Sequence, residues 1–145
     1  MKNLNNLFYK NLIEFLMDFK NEIYRLSLKH DLTIMQLMTL ISIDLNESLP
    51  MNYFKNLFQC DPSNITGIID ALVKKEILTR QESINDRRIK DIKLTPKGIK
   101  LQNKLLKAFS LENQSLFKGL TDEEIINFVK FINHWAQINS LDYKV

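Results

Sequence analysis

Residues 61–74 constrain the fold of this chain more than any other segment. Asp61 is a residue type that caps helix N-termini, and Pro62 fits the first helical position. Apolar residues follow at the spacing of one helix face: Ile65, Ile68, Ile69, Leu72 and Val73. Pro50 predicts a shorter helix at roughly 51–58, which ends three residues before Asp61. Two helices joined by so short a turn predict a helix-turn-helix unit.

Helical patterns flank this unit on both sides. Apolar residues three and four positions apart predict an amphipathic helix over residues 4–29. Thr33 and Gln36 have the spacing of a capping box at the start of the next helix. Thr95, followed by proline, and Thr121, followed by three acidic residues, predict the starts of the last two helices.

Two strands interrupt the helices after the helix-turn-helix unit. Residues 77–83 and 89–94 are rich in strand-forming side chains, and residues 85–88 form the loop between them. An isolated two-stranded hairpin is marginally stable, so we expect it to pack on the helices. The predicted order is four helices, a β-hairpin and two helices, which makes the fold mainly α with a small β-hairpin.

Composition argues against several classes of function. Cys60 is the single cysteine, which excludes an internal disulfide and a cysteine-based zinc site. His30 and His134 lie too far apart for metal-ligand spacing, and we expect no metal and no cofactor. We identify no nucleophile–base set and no phosphate-binding loop, so we do not expect an enzyme. No apolar run approaches the roughly 20 residues of a membrane helix. The polar start is unlike a signal peptide, so we expect a cytoplasmic protein without membrane association.

Charge is distributed unevenly along the chain. The formal net charge is +3, but residues 74–104 carry ten Lys and Arg against four Asp and Glu. A basic segment in a nearly neutral chain indicates an anionic partner on one face, or a solvated lysine-rich surface. Charge alone does not decide between these two interpretations.

Three motifs carry a resemblance to a known family. Residues 86–88, Asp-Arg-Arg, followed by residues 94–98, Leu-Thr-Pro-Lys-Gly, resemble the D-x-R and L-T-x-x-G motifs of the MarR family of bacterial regulators. Residues 61–66 resemble the recognition helix of that family, and residues 32–40 resemble the start of its second helix. The three motifs occur in the order and spacing that the family has.

The resemblance implies an architecture and a function. Residues 31–98 would form a winged helix-turn-helix lobe, and residues 1–30 and 99–145 would form a helical dimerisation region. The chain would be a DNA-binding transcriptional regulator that binds a pseudo-palindromic double-stranded site as a homodimer. Small-molecule effectors modulate members of this family, and the sequence leaves open whether one acts here.

The residues expected to contact DNA lie on the recognition helix and on the wing. A helix fits the major groove, and a basic hairpin tip can reach the minor groove of A·T-rich DNA. We expect Asp86 to orient Arg88 by an ion pair. The expected DNA-binding residues are Ser63, Asn64, Thr66, Gly67, Lys74, Arg87, Arg88, Lys90 and Lys93.

Two departures from the family pattern support an alternative. Gly67 and Ala71 stand at groove-facing positions where the family often has basic residues. A winged-helix module that contacts proteins, with weak or no sequence-specific DNA binding, is therefore the second interpretation.

Glu76 stands where the family usually has a glycine to end the recognition helix.

The two chain ends predict self-association. The apolar faces of residues 4–29 and of the last helix are too large for the small lobe to cover. An exposed apolar surface of that size is unusual on a monomer. Burial against a second copy would give an isologous two-fold homodimer.

Overall fold

The computed structural model describes residues 2–83, 89–109 and 117–138. Helices and strands follow one another in the order α1 (Lys2–Lys29), α2 (Ile34–Ile41), β1 (Ser48–Pro50), α3 (Met51–Phe58), α4 (Pro62–Lys74), β2 (Leu78–Glu82), β3 (Lys90–Leu94), α5 (Pro96–Ala108) and α6 (Asp122–Ile138). The predicted order of helices and hairpin is confirmed, and β1 is an addition to it.

Two predicted capping boxes start their helices as expected. At α2, the Gln36 amide donates to the Thr33 hydroxyl and the Thr33 amide donates to the Gln36 side chain, both at 3.1 Å. At α6, the Thr121 amide donates to the Glu124 carboxylate at 2.8 Å, and the Glu124 amide donates back to Thr121 at 3.3 Å. The hydrogen bonds that the Thr121 amide and hydroxyl donate to the Glu124 carboxylate lower the pKa of Glu124.

The sheet has three antiparallel strands in the order β1-β3-β2, so the prediction of a two-stranded hairpin was incomplete. Ile92 of β3 lies between Leu49 of β1 and Arg80 of β2. β1 ends at Pro50 and is only three residues long. A strand of this length is too short to show an alternating pattern in the sequence. It gives the hairpin the third strand that an isolated pair lacks.

The hydrophobic core joins α2, α3, α4, α5 and the sheet. Its largest fully buried apolar side chains are Phe54, Leu37, Leu40, Ile43, Ile65, Ile69, Leu72, Leu78, Ile92 and Leu105. Gln102 of α5 enters this core, where its side-chain amide donates to the carbonyls of Leu40 at 2.8 Å and Ile43 at 2.6 Å. It pairs with the Leu40 carbonyl in the last turn of α2, where a helix leaves carbonyl groups without partners, and with the Ile43 carbonyl just beyond the helix.

Left-handed residues end α1, α3 and α4. Asp31, Gln59 and Glu76 have φ angles of 53°, 46° and 59°. At the end of α4, the Glu76 amide bonds the carbonyl of Val73 at 2.8 Å and the Ile77 amide bonds that of Leu72 at 3.0 Å, as in a Schellman motif. The family pattern places glycine here because this conformation suits it, and Glu76 adopts it nevertheless.

Helices α1 and α6 present wide apolar faces to solvent. They meet where the rings of Phe15 and Phe128 pack edge to face, with centroids 5.7 Å apart. None of the described residues of α6 is buried, and the apolar side chains of Phe131 and Ile138 are 60% and 68% exposed. None of the helices in the described ranges is both long and apolar enough to cross a membrane.

Candidate nucleic-acid interface

The turn between α3 and α4 sets the direction of the helix expected to read DNA. Gln59 adopts the left-handed conformation that ends α3, and Cys60 packs half-buried against the core. Asp61 occupies the N-cap of α4 with extended backbone, and Pro62 takes the first helical position. The prediction of Asp61 as the N-cap residue is confirmed, but its carboxylate makes no capping hydrogen bond. The proline and the buried face of α4 suffice to start the helix here.

One face of α4 is buried and the opposite face is open. Ile65, Ile69 and Leu72 lie in the core. The residues predicted to contact DNA from this helix are all exposed: Ser63, Asn64, Thr66, Gly67 and Lys74. Their positions fall away from the buried side of a helix with 3.6 residues per turn, so the fold brings them to one surface.

The polar side chains at the start of α4 differ in what they can offer a ligand. Among the described residues, the side chains of Ser63 and Asn64 have no hydrogen-bond partner. The backbone amides of Asn64 and Ile65 donate to the Asp61 carbonyl, so the first turn does not need these side chains. Both side chains are therefore available to donate. Thr66 donates its hydroxyl to the Pro62 carbonyl at 2.9 Å, so it retains acceptor capacity alone.

The middle of the exposed face carries no large side chain. A Cβ atom built on Gly67 would meet no atom within 4 Å, so packing within the chain does not require glycine there. Ala71 is half-buried. A groove contacted at Gly67 and Ala71 would meet backbone and small side chains, with the carboxylate of Asp70 between them.

The described part of the wing carries two lysines of different character. Lys90 is paired across the strands with Glu82, with its ammonium 3.0 Å from the carboxylate. Lys93 is half-buried. It lies three positions after Lys90 on β3, so its side chain is on the opposite face of the sheet from that of Lys90. Asp86, Arg87 and Arg88, which were expected to form the tip, lie outside the described residues.

An ion pair that sequence reasoning missed links the recognition helix to the wing. The Arg80 guanidinium of β2 lies 2.6 Å from the carboxylate of Asp70 on the exposed face of α4. The side chains are 34% and 55% exposed, respectively. No local spacing rule connects positions ten residues apart across a helix end, so the sequence carried no signal for this contact. The pair fixes the exposed edge of α4 to β2.

Comparisons with known proteins identify this arrangement. The model of the MarR family matches residues 32–90, which run from the start of α2 to the start of β3. Over these residues the chain is similar to the MarR family. The fold is that of MarR-family transcriptional regulators, mainly helical with a small antiparallel sheet.

Individual relatives agree with this assignment. The chain is similar to the HTH-type transcriptional regulator YhbI of Bacillus subtilis, at 26% identity over 66% of this chain. That match spans 62% of YhbI, which is less than two thirds of its length. The HTH-type transcriptional repressor MdtR of the same organism is 29% identical over 80% of this chain and 75% of its own.

A solved structure shows the same fold. Wild-type apo MarR from E. coli superposes with a TM-score of 0.69, over 86% of this chain and 93% of that one, at 23% identity. The match extends beyond the lobe to most of the chain.

Groups of three or more His, Cys, Asp or Glu side chains arranged to hold a metal do not occur within the described ranges.

Proposed function

We propose that this chain is a DNA-binding transcriptional regulator of the MarR type that binds a pseudo-palindromic double-stranded site as a homodimer. The observation that carries the proposal is the open polar face of α4, which lies opposite its buried face in a domain that the MarR-family model matches. We assign DNA contacts to Ser63, Asn64, Thr66, Gly67 and Lys74 on the helix, and to Arg87, Arg88, Lys90 and Lys93 on the wing. Asp86 orients Arg88. Such a regulator works in the cytoplasm, where bacterial DNA is.

The exposed apolar faces of α1 and α6 support the homodimer. Large exposed side chains concentrate on these two helices: Leu4, Leu7, Phe8, Tyr9, Leu12, Ile13, Leu16, Met17, Tyr24, Leu28, Ile126, Val129, Phe131, Ile132, Trp135 and Ile138. We assign residues 1–30 and 99–145 to the dimerisation region and residues 31–98 to the DNA-binding lobe. The two-fold axis of the dimer would set two α4 helices about one DNA turn apart, roughly 34 Å.

A small-molecule effector is the third part of the proposal. A groove of about 600 Å³ opens between the lobe and α5. A ligand there would contact both the end of α4 and the helix that leads towards the dimerisation region. Its binding would favour some arrangements of the two parts over others.

A mobility-shift assay with the chain's own upstream region tests DNA binding directly. We expect a shift at lower protein concentration than with random DNA of equal length and base composition. The second candidate function is a protein-interaction module. Two observations favour it: Gly67 has no side chain to contact a base, and the charge of Lys90 is already paired with Glu82. Equal affinity for both DNAs, or no shift, would support that module and contradict the regulator.

Sedimentation of a matched pair of variants tests the dimer. Phe131→Asp places a carboxylate in the exposed apolar face of α6 and should shift the chain to monomer. Asn127→Asp adds the same charge at an exposed polar position of that helix and should remain dimeric. A monomeric wild type at micromolar concentration would contradict the assembly.

A further inference from the structure

Gln102 is a polar residue on the buried face of α5. It is 2% exposed, and its neighbours on that face, Gly98 and Leu105, are buried as well. Burying an amide costs free energy unless the amide finds hydrogen-bond partners, so the position calls for specific partners. Of the other buried polar residues in the described ranges, Ser27 and Thr39 donate to carbonyls of their own helices. Gln102 instead reaches a different part of the chain.

The side-chain amide of Gln102 holds the end of α2. Its nitrogen donates to the carbonyl of Leu40 at 2.8 Å and to that of Ile43 at 2.6 Å. A side-chain amide nitrogen carries two donors, so one side chain can bond both carbonyls. The side chains of Leu40 and Ile43 are themselves buried in the core, where α2 packs against α4. The position of α5 is therefore tied to a helix that supports α4.

The oxygen of the same amide shows that Gln102 has one favourable orientation. Gln102 Oε1 is buried, and it has no hydrogen-bond partner among the described residues. Turning the amide over would place Oε1 against the carbonyl oxygens of Leu40 and Ile43, which repel it. Hydrogen bonds depend on distance and angle, whereas apolar burial has no direction. Gln102 therefore fixes where α5 lies against α2, as a single buried polar residue fixes the register of a coiled coil.

Thr95 provides a second anchor at the start of α5. Its hydroxyl donates to the Glu76 carbonyl at 2.7 Å and lies 3.1 Å from that of Ile77. Gln102 is about 10 Å further along the helix, at a rise of roughly 1.5 Å per residue. Two anchors that far apart fix the direction of α5 as well as its starting point.

The direction of α5 bears on the distance between the two α4 helices of a dimer. The carbonyls that Gln102 holds belong to the proposed DNA-binding lobe, residues 31–98, whereas Gln102 belongs to the proposed dimerisation region, residues 99–145. A slip of about 1 Å at Gln102, roughly 10 Å from Thr95, turns the lobe by about 6°. At an arm of about 17 Å, half of one DNA turn, this rotation moves each α4 by about 2 Å. The two displacements together are close to the rise of one base pair, about 3.4 Å.

We propose that Gln102 is a positioning residue that fixes the angle between α5 and the DNA-binding lobe, and so makes the homodimer selective for the spacing of its two half-sites. The inference rests on the proposed function, because it needs a dimer on a pseudo-palindromic site. It adds the feature of the DNA that is selected, the distance between half-sites, and the side chain that selects it.

Spacing selectivity, measured by fluorescence anisotropy on the full chain, tests this role. The probes are the upstream duplex and two duplexes with one base pair inserted or removed between the half-sites. We expect the wild type to bind the native spacing at least tenfold more tightly than either altered spacing. Gln102→Leu has a side chain of similar volume without a donor, and it should reduce this preference to less than threefold.

Thr39→Val is the matched control, because it removes a buried hydroxyl whose hydrogen bond stays within α2. It should keep the wild-type preference. Urea unfolding checks that each variant is folded. If Gln102→Leu does not fold, Gln102→Met takes its place, because its flexible side chain adapts to the available space, and the same loss of preference is expected.

The outcomes separate this inference from the function on which it rests. A folded Gln102 variant that loses affinity equally at all three spacings, or not at all, keeps the wild-type preference; this would overturn the positioning role and leave the regulator standing. An equal loss of preference in Thr39→Val would overturn it too. A wild type that binds all three spacings equally would contradict both the reading of a pseudo-palindromic site and the role of Gln102.

Discussion

Replacing Gly67 by alanine should stabilise the fold. Gly67 lies in the interior of α4 on its exposed face, and an added methyl group meets no atom within 4 Å. In a helix interior glycine is less favourable than alanine by about 0.8–1 kcal/mol. We therefore expect Gly67→Ala to raise the free energy of unfolding by about 1 kcal/mol, equivalent to roughly 2–4 °C in Tm.

The other two glycines provide controls with the same chemical change. Gly119 also has open space around its missing side chain, but its φ of +94° disfavours alanine, so Gly119→Ala should lower stability by about 1 kcal/mol. At Gly98, in the first turn of α5, an added methyl group would overlap the carbonyl oxygen of Ile77. Gly98→Ala should lower stability by about 1–3 kcal/mol, because the helix would have to move away from the strand connection.

Urea unfolding of the three variants at equal protein concentration measures these effects. Equal slopes against urea concentration would show that the midpoints report stability and not a change in the unfolded state. Gly67 and Gly119 have equally open surroundings, so the difference between their variants isolates the backbone conformation. If Gly67→Ala is neutral or destabilising, or if Gly119→Ala stabilises as much, the helical reasoning is wrong.

Three further changes probe the domain. Glu76→Gly should raise stability by about 0.5–1 kcal/mol by relieving a left-handed residue, whereas Glu76→Gln keeps its Cβ atom and should not; equal urea midpoints for the two would contradict this. Since burial and neighbouring lysines lower the pKa of His30 from 6.5, the stability contributed by its neutral form is present above pH 6.5 and lost as the pH falls. His30→Gln should flatten this dependence in midpoints measured between roughly pH 8 and pH 5, and an unchanged slope would refute the role of His30. Arg80→Gln should weaken DNA binding, measured by fluorescence anisotropy, because Asp70 would then face phosphates without its partner, although stability should change by less than about 1 kcal/mol. Asp70→Asn added to Arg80→Gln should recover part of the affinity, and no recovery would contradict the repulsion.

Local physical signals account for what the sequence predicted well. The bounds of α4 follow from Pro62 and a strictly periodic apolar face, and Thr33 and Thr121 start their helices through hydrogen bonds that span three residues. Such signals are complete within a few positions of the chain. The same periodicity predicts that Ser63 and Asn64 lie on the open face of the helix, because both positions fall outside its apolar stripe.

Contacts between distant segments account for what the sequence did not show. β1 is defined by its pairing with β3 and not by its own composition, since three residues cannot establish a period. The Asp70–Arg80 pair depends on how α4 and β2 meet in space. Asp61 occupies the N-cap position of α4 without making a side-chain capping hydrogen bond, so a favourable residue type does not ensure that bond.

Hydroxyl-radical footprinting of the bound upstream duplex tests the central claim most directly. If two chains read one pseudo-palindromic site with their α4 helices, we expect two protected segments whose centres are about one helical turn, roughly 10–10.5 base pairs, apart. The protections should be related by two-fold symmetry and appear together as protein is added. A single protected segment, or uniform weak protection along the duplex at all protein concentrations, would contradict a homodimeric regulator that reads DNA through α4.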